Sequence, residues 1–338
     1  MELQESIRLL YPPEERAQLD ISTVKGDASN RQYFRVTGAH GTSIVCADPA
    51  FKATDPQSYP FLILRDLLAS HSIRVPELTG IDHQLGLLLL EDCGDLMLQD
   101  EVPLLDDTQL SARYRQIIDT LVRIQSIRPD SESTNATIPF SLSFDQEKLM
   151  FEFDFFIEHG LKHYFRGKLD DRAIDQLRDE FATIAGLLVL PEHFVLNHRD
   201  FHSRNIMLFR EEPVVIDFQD ARLGLPQYDA VSLLRDSYVR LDQELVEELK
   251  RYHFELLARH ELTTMDWEMY LRLFDLMAFQ RNVKAVGTFC YQTTIIGNPS
   301  FEPCIGPTLG YLRYYIDARP ELASAGRLLE PLMPGNSR

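Results

Sequence analysis

The sequence is short of several things that would place it quickly. It has four cysteines, Cys46, Cys93, Cys290 and Cys304, far apart and with no CxxC spacing. Neither a disulfide framework nor a zinc knuckle follows from them. Its longest apolar runs, Leu85–Leu90 (broken by Gly86) and Ile184–Leu190, fall far short of the ~18 residues that span a bilayer. The opening stretch, MELQESIRLLYPPEERA, carries acids and prolines and no apolar signal core, so a soluble cytoplasmic protein is expected. Positive charge is scarce too: 34 Lys and Arg against 52 Asp and Glu, a net charge of −18. A body this acidic repels phosphate backbones and anionic lipid heads, which argues against nucleic-acid and membrane-surface partners. A cationic substrate and plain solubility both remain compatible with it.

What is present is an ordinary globular composition, 44% hydrophobic and 25% charged over 338 residues. That length predicts two or three domains, with enough chain to bury a core without staples. The first ninety residues are strand-rich. Gln32–Thr37 and Thr42–Ala47 flank Gly38–Gly41 in a hairpin pattern. Tyr59–Ser70 has helical apolar spacing, and Leu85–Leu90 has the length of a buried strand. Beyond Gly94 the spacing turns helical over Thr108–Ile127, Gln146–Phe165, Asp170–Leu188, Leu241–His260 and Met265–Phe289, with a polar loop at Pro129–Pro139. Within this helical half lies one β-like island, Phe194–Phe218. The expected architecture is α+β in two lobes: a β-rich lobe over 1–90, a hinge at 91–95 and a mainly helical lobe over 96–338. Such layouts place ligands in the cleft between lobes.

The island carries the chemistry. Its runs Ile206–Phe209 and Pro213–Ile216 flank Arg210-Glu211-Glu212, a hairpin-length connection. If the hairpin is symmetric about Glu211, Asn205 and Asp217 face each other with Cβ atoms ~5 Å apart. An amide oxygen and a carboxylate so placed suit a hard cation such as Mg²⁺, which takes few protein oxygens plus substrate phosphates. Asp200, five residues before Asn205, adds a carboxylate that need not be a ligand. Phosphoryl transfer needs these parts: a metal for the phosphate charge and a base for the acceptor hydroxyl. Zinc on His198 and His202 is disfavoured because the segment is flanked by strand patterns and has no HExxH glutamate. A Ser203–His202 nucleophile pair lacks a G-x-S-x-G elbow. A solvated polar turn does not explain a carboxylate directly after three apolar residues.

His198-x-Asp200-x4-Asn205, followed by a strand ending in Asp217-Phe218, resembles the catalytic loop and metal-binding aspartate of the protein-kinase-like superfamily. The HxDxxxxN form is similar to its aminoglycoside phosphotransferase branch. The stretches GDASNRQYFRV (Gly26–Val36), LLLLEDCGD (Leu87–Asp95), HRDFHSRN (His198–Asn205), IDFQDARLG (Ile216–Gly224), YDAVSLLRD (Tyr228–Asp236) and QRNVKAVGTF (Gln280–Phe289) together resemble the bacterial anomeric N-acetylmuramate/N-acetylglucosamine kinases. The resemblance implies a protein-kinase-like bilobal fold, ATP and Mg²⁺, and transfer of the γ-phosphoryl group to the C1 hydroxyl of a small N-acetylated sugar in peptidoglycan recycling. It gives Asp200 the role of catalytic base, with His198 ordering its loop, and gives Asn205 and Asp217 the metal. Ser29 and Asn30 in the Gly26–Arg31 loop would meet the nucleotide phosphates, and Glu91 and Cys93 the adenine. Around the acceptor, His202, Arg204, Asp229, Arg281 and Lys284 are candidates, with Asp229 supporting the catalytic loop; Arg222 and Arg235 are further cations. Arg281 and Lys284 share one helix face, which suits an anionic sugar better than a polycationic aminoglycoside.

One departure stands out. Protein kinases carry a lysine on the third strand and a glutamate on the next helix. Here Ile44–Asp48 has no lysine and Tyr59–Ser70 no glutamate. Lys25, Arg35 and Lys52 are the candidate replacements. The missing pair keeps a catalytically weak, kinase-like binding module open as an alternative, beside an aminoglycoside or other small-alcohol phosphotransferase. Oligomeric state is not legible.

Overall fold

The computed structural model describes residues 3–24, 31–129 and 138–334. The chain packs into two compact units, one of Met1–Met97, Asp130–Ile138 and Ile206–Gln219, the other of Leu98–Pro129, Pro139–Asn205 and Asp220–Arg338.

The first unit is built on five antiparallel strands: β1 (Asp20–Val24), β2 (Gln32–Gly38), β3 (Gly41–Ala47), β4 (Leu78–Asp82) and β5 (Leu87–Glu91), in the order β1-β2-β3-β5-β4. Side chains alternate across a strand. Phe34 and Val36 of β2 therefore join Val45, Ala47 and Leu87 in a core that also takes Ile7 and Leu19, while Arg31, Tyr33 and Arg35 fall on the other face. Three helices accompany the sheet: α1 (Leu3–Arg8), α2 (Pro49–Ala53) and α3 (Pro60–Ser70). α2 starts with proline at its first position, and the Asp48 side chain caps it by accepting the Ala50 N–H.

The second unit is mainly helical: α4 (Leu98–Glu101), α5 (Asp107–Gln125), α6 (Ile138–Ser141), α7 (Gln146–Phe156), α8 (Asp171–Leu187), α9 (Gln227–Leu234), α10 (Gln243–Arg259), α11 (Trp267–Tyr291), α12 (Glu302–Ala318) and α13 (Ala323–Leu329). The helix expected over Gln146–Phe165 is α7 continued by a π-helical stretch, Ile157–Tyr164. α11 is the central helix, packed against α7, α9 and α12. Its sequence is apolar on most sides because most sides are covered. At Gly287 a Cβ would lie 2.8 Å from the Phe156 Cα, so only glycine lets α11 and α7 approach this closely. A two-stranded ribbon, β6 (Val195–Asn197) with β9 (Arg222–Gly224), completes the unit.

One expectation needs correction. The hairpin of β7 (Ile206–Phe209) and β8 (Glu212–Val215) pairs Ile206 with Val215 and Phe209 with Glu212. Its turn is therefore the two residues Arg210-Glu211, and the register carries Asn205 toward Ile216, one position short of Asp217. Both turn residues have positive φ, 53° and 66°, as a type I′ turn demands. Neither is the Asn or Gly that would have announced it. This hairpin falls in the first unit. The Leu208 N–H donates to the Leu96 carbonyl, the Val215 N–H to the Arg74 carbonyl, and Phe218 stacks on Phe61. The polar loop expected at Pro129–Pro139 lies mostly outside the described residues. No helix among the described residues is long and apolar enough to cross a membrane.

Candidate active site

The segment from His198 to Asn205 leaves β6 as a loop hung from the two ends of α9. Asp229, in the first turn of α9, accepts the backbone N–H groups of His198 (2.5 Å) and Arg199 (2.9 Å). Asp236, just past its last turn, accepts the N–H of Ser203 at 2.8 Å and that of Tyr238 at 2.9 Å. Both carboxylates are buried, at 0% and 4% exposure. Burial pushes the Asp229 carboxyl up to about 7, against the pull of Arg281 and the two N–H groups. The His198 ring is buried beside Phe201, and its Nδ1 accepts the Asp200 N–H at 3.3 Å. Arg199 holds φ at 87°, a conformation costing an L-residue roughly 1–2 kcal/mol. Its carbonyl accepts from Arg281 at 2.8 Å and its guanidinium meets Asp220 at 2.8 Å.

These contacts present Asp200. The Lys284 ammonium donates to its Oδ1 at 2.9 Å, and Arg281 stands 3.8 Å from the same oxygen. Burial alone would raise this carboxyl, but Lys284, Arg281 and Arg199 outweigh it and hold it well below the usual carboxylate range. The side chain is still one-quarter exposed, into a pocket lined by His202, Arg235, Tyr238 and Asn282. His202 packs edge-on against Tyr238, and burial pushes its imidazole down to about 3, so it is neutral. Its Nδ1 is buried without a hydrogen-bond partner.

The two cations of α11 are not a solvated edge. Arg281 is 7% exposed and spans the Arg199 carbonyl and the Tyr228 ring. Its neighbours in the motif are occupied as well. Gln280 donates to Glu152 at 2.9 Å, tying α11 to α7, and Asn282 donates to the Arg235 carbonyl. Arg204 donates to Gln99 at 2.9 Å and lies 3.8 Å over the Tyr238 ring. Arg222 lies over Phe144, and Arg235 among Tyr311, Tyr314 and Tyr315. Asn205 donates its amide N–H to the Asp200 carbonyl at 2.9 Å, which directs its amide oxygen elsewhere.

In the first unit, Asp217 has φ 63° and accepts from Gln219 at 2.8 Å. Among the described residues no group of three or more His, Cys, Asp or Glu could hold a metal. Both carboxylate oxygens of Glu91 accept from Nη2 of Arg74, at 2.6 and 2.7 Å. Cys93 is buried, with its thiol pushed up to about 12. Ser29, Asn30 and Lys25 lie outside the described residues. Lys52 is exposed, and Arg35 is held by Asp92 and Asp95 at 2.7 and 2.8 Å. Sequence reading passed over one cluster in this unit: Arg31, Asp48 and Tyr59. The hairpin arithmetic contained it, since Gln32 pairs with Ala47 and the next step outward sets Arg31 against Asp48.

A five-stranded unit, a helical unit and a carboxylate presented on a helix-hung loop define a phosphotransferase of protein-kinase-like fold. The family model described as "Phosphotransferase enzyme family" matches residues 20–263. The chain belongs to that family, and its reaction class is phosphoryl transfer to an alcohol. It is 32% identical to the N-acetylmuramate/N-acetylglucosamine kinase of Pseudomonas putida, over 93% of this chain and 89% of the relative. It is 30% identical to the kinase of the same name from Neisseria meningitidis serogroup B, over 98% and 96%. Among solved structures, an ADP-bound aminoglycoside phosphotransferase superposes with a TM-score of 0.60 at 13% identity, over 92% of this chain and 98% of that one.

Proposed function

We propose that this protein is an ATP-dependent sugar kinase that phosphorylates the anomeric C1 hydroxyl of N-acetylmuramate or N-acetylglucosamine, in the recycling of cell-wall sugars. The observation that carries the reading is Asp200, clamped on one oxygen by Lys284 in a pocket with further cations around it. Near-full-length similarity to two kinases of that name supports the substrate class. A cation-rich acceptor pocket also disfavours a polycationic aminoglycoside.

Lys284 and Arg281 both address Oδ1 of Asp200, which leaves Oδ2 to accept the acceptor hydroxyl and then its proton. A carboxylate with so low a proton affinity is a weak base. That suits a loose transition state, in which orienting the nucleophile matters more than early deprotonation. Asn205 and Asp217 are assigned to Mg²⁺, which when bound neutralises charge on the transferring phosphate. Arg281 is assigned to the loop, through the Arg199 carbonyl. Lys284 becomes the cation within reach of a sugar carboxylate, and neutral His202 and Tyr238 line the sugar side.

The test is sugar-dependent ADP release with Mg·ATP across N-acetylmuramate, N-acetylglucosamine, an aminoglycoside and choline. Phosphorus NMR then reads which hydroxyl was phosphorylated. We expect turnover with the N-acetylated sugars and a 1-phosphate product. Asp200→Asn should lower kcat at least 10²-fold, within the usual range for a general base, with nucleotide binding intact. Near-normal turnover of that variant, or a product phosphorylated elsewhere, would refute the assignment.

A further inference from the structure

The missing strand-three lysine leaves the nucleotide phosphates without their expected cation. The first unit answers with a pair of opposite polarity. Asp48, directly after β3, occupies the strand-three side, and Arg31, directly before β2, faces it in the extended hairpin register. The Arg31 Nε donates to Asp48 Oδ2 at 2.8 Å, with the side chains 14% and 5% exposed. Asp48 is fixed by more than its partner: it also accepts the Ala50 N–H at 2.8 Å and the Tyr59 hydroxyl. A carboxylate so held acts as an anchor that fixes where the guanidinium sits.

The position of that guanidinium is informative. It lies 5.6 Å over the Phe61 ring, and Phe61 stacks at 5.1 Å on Phe218, the neighbour of Asp217. Arg31 and Asp217 both act electrostatically on the Tyr33 hydroxyl. We propose that Arg31 is the phosphate-contacting cation of this enzyme and that Asp48 and Tyr59 position it, an arginine–aspartate pair standing in for the lysine–glutamate pair of protein kinases. The proposal rests on the kinase reading above. A planar guanidinium can engage two non-bridging phosphate oxygens at once, which a lysine cannot. The sheet therefore has no need of a strand-three cation. The ligand class is a nucleoside triphosphate, recognised through its phosphates and not its base.

The test compares Mg·ATP with adenosine, binding each to the full-length protein by calorimetry. Arg31→Met should weaken Mg·ATP at least tenfold and leave adenosine within twofold. Asp48→Asn should weaken Mg·ATP less, in the same direction. If Arg31→Met does not fold, as read by circular dichroism, Arg31→Lys keeps the charge without the fork and should still weaken Mg·ATP at least threefold. Mg·ATP binding that is unchanged in the folded variant, or an equal loss for Mg·ATP and adenosine, would overturn the inference while wild-type ATP binding upholds the kinase reading. Wild-type protein that binds no Mg·ATP would overturn both.

Discussion

At the scale of single residues, the decisive contact is the one between Lys284 and Asp200, side chains 84 positions apart in the chain. Burial raises the Asp200 carboxyl and the surrounding cations lower it further than burial raises it, Lys284 most of all. Lys284→Met removes the largest of those cations, so the proton affinity of Asp200 must rise. In the proposed mechanism the ionised form is the active one. The acid limb of log kcat/KM against pH should therefore move to higher pH in Lys284→Met, toward ordinary carboxylate values. A pH–rate profile checks this, and an unmoved limb would mean that Lys284 does not govern Asp200. No periodicity reveals such a contact. Sequence spacing shows that Arg281 and Lys284 share a helix face, but not that the face turns inward onto the loop from His198 to Asn205. Arg281 donates to the Arg199 carbonyl at 2.8 Å and stands 3.8 Å from Asp200.

Elements were legible where composition and geometry agree. The β2–β3 hairpin shows alternation and a glycine at each side of its turn, so both strands and the facing of Arg31 and Asp48 were available from the text. The β7–β8 hairpin hid its register because Arg210 and Glu211 occupy left-handed positions with no turn signature. Replacing them with Asn-Gly should relieve strain of roughly 1–2 kcal/mol per residue, partly offset by the freer unfolded chain, and raise Tm by a few degrees. A thermal melt checks it; a lowered Tm would show that the two side chains contribute contacts worth more than the strain. The α7–α11 crossing makes a second prediction. Gly287→Ala places a methyl 2.8 Å from the Phe156 Cα, so α11 must shift. We expect a loss of about 1–3 kcal/mol, as for overpacking in general. Lys284 lies one turn earlier on α11, so a fall in kcat should accompany it. Denaturant melts and steady-state kinetics on the same preparation read both effects.

For the whole molecule, the net charge of −18 argues against some classes of partner but does not describe the site, because the pocket beside Asp200 collects Arg235, Arg281 and Lys284. It does describe approach. Mg·ATP and an anionic sugar are both repelled at long range by such a body, and salt screens that repulsion over a Debye length of about 10 Å at 0.1 M. The association rate for N-acetylmuramate should therefore rise with moderate ionic strength, and the rate for uncharged N-acetylglucosamine should stay flat. Stopped-flow measurements at several salt concentrations would show it. At short range the pocket is more balanced than its cations suggest, since Lys284 already has a counter-ion in Asp200. An inhibitor that offers only an anion must draw Lys284 away and leave the Asp200 carboxylate without its closest cation. A compact zwitterion, its anion toward Lys284 and its ammonium toward Asp200, would replace both halves of the pair at once and is the better starting point for inhibitor chemistry.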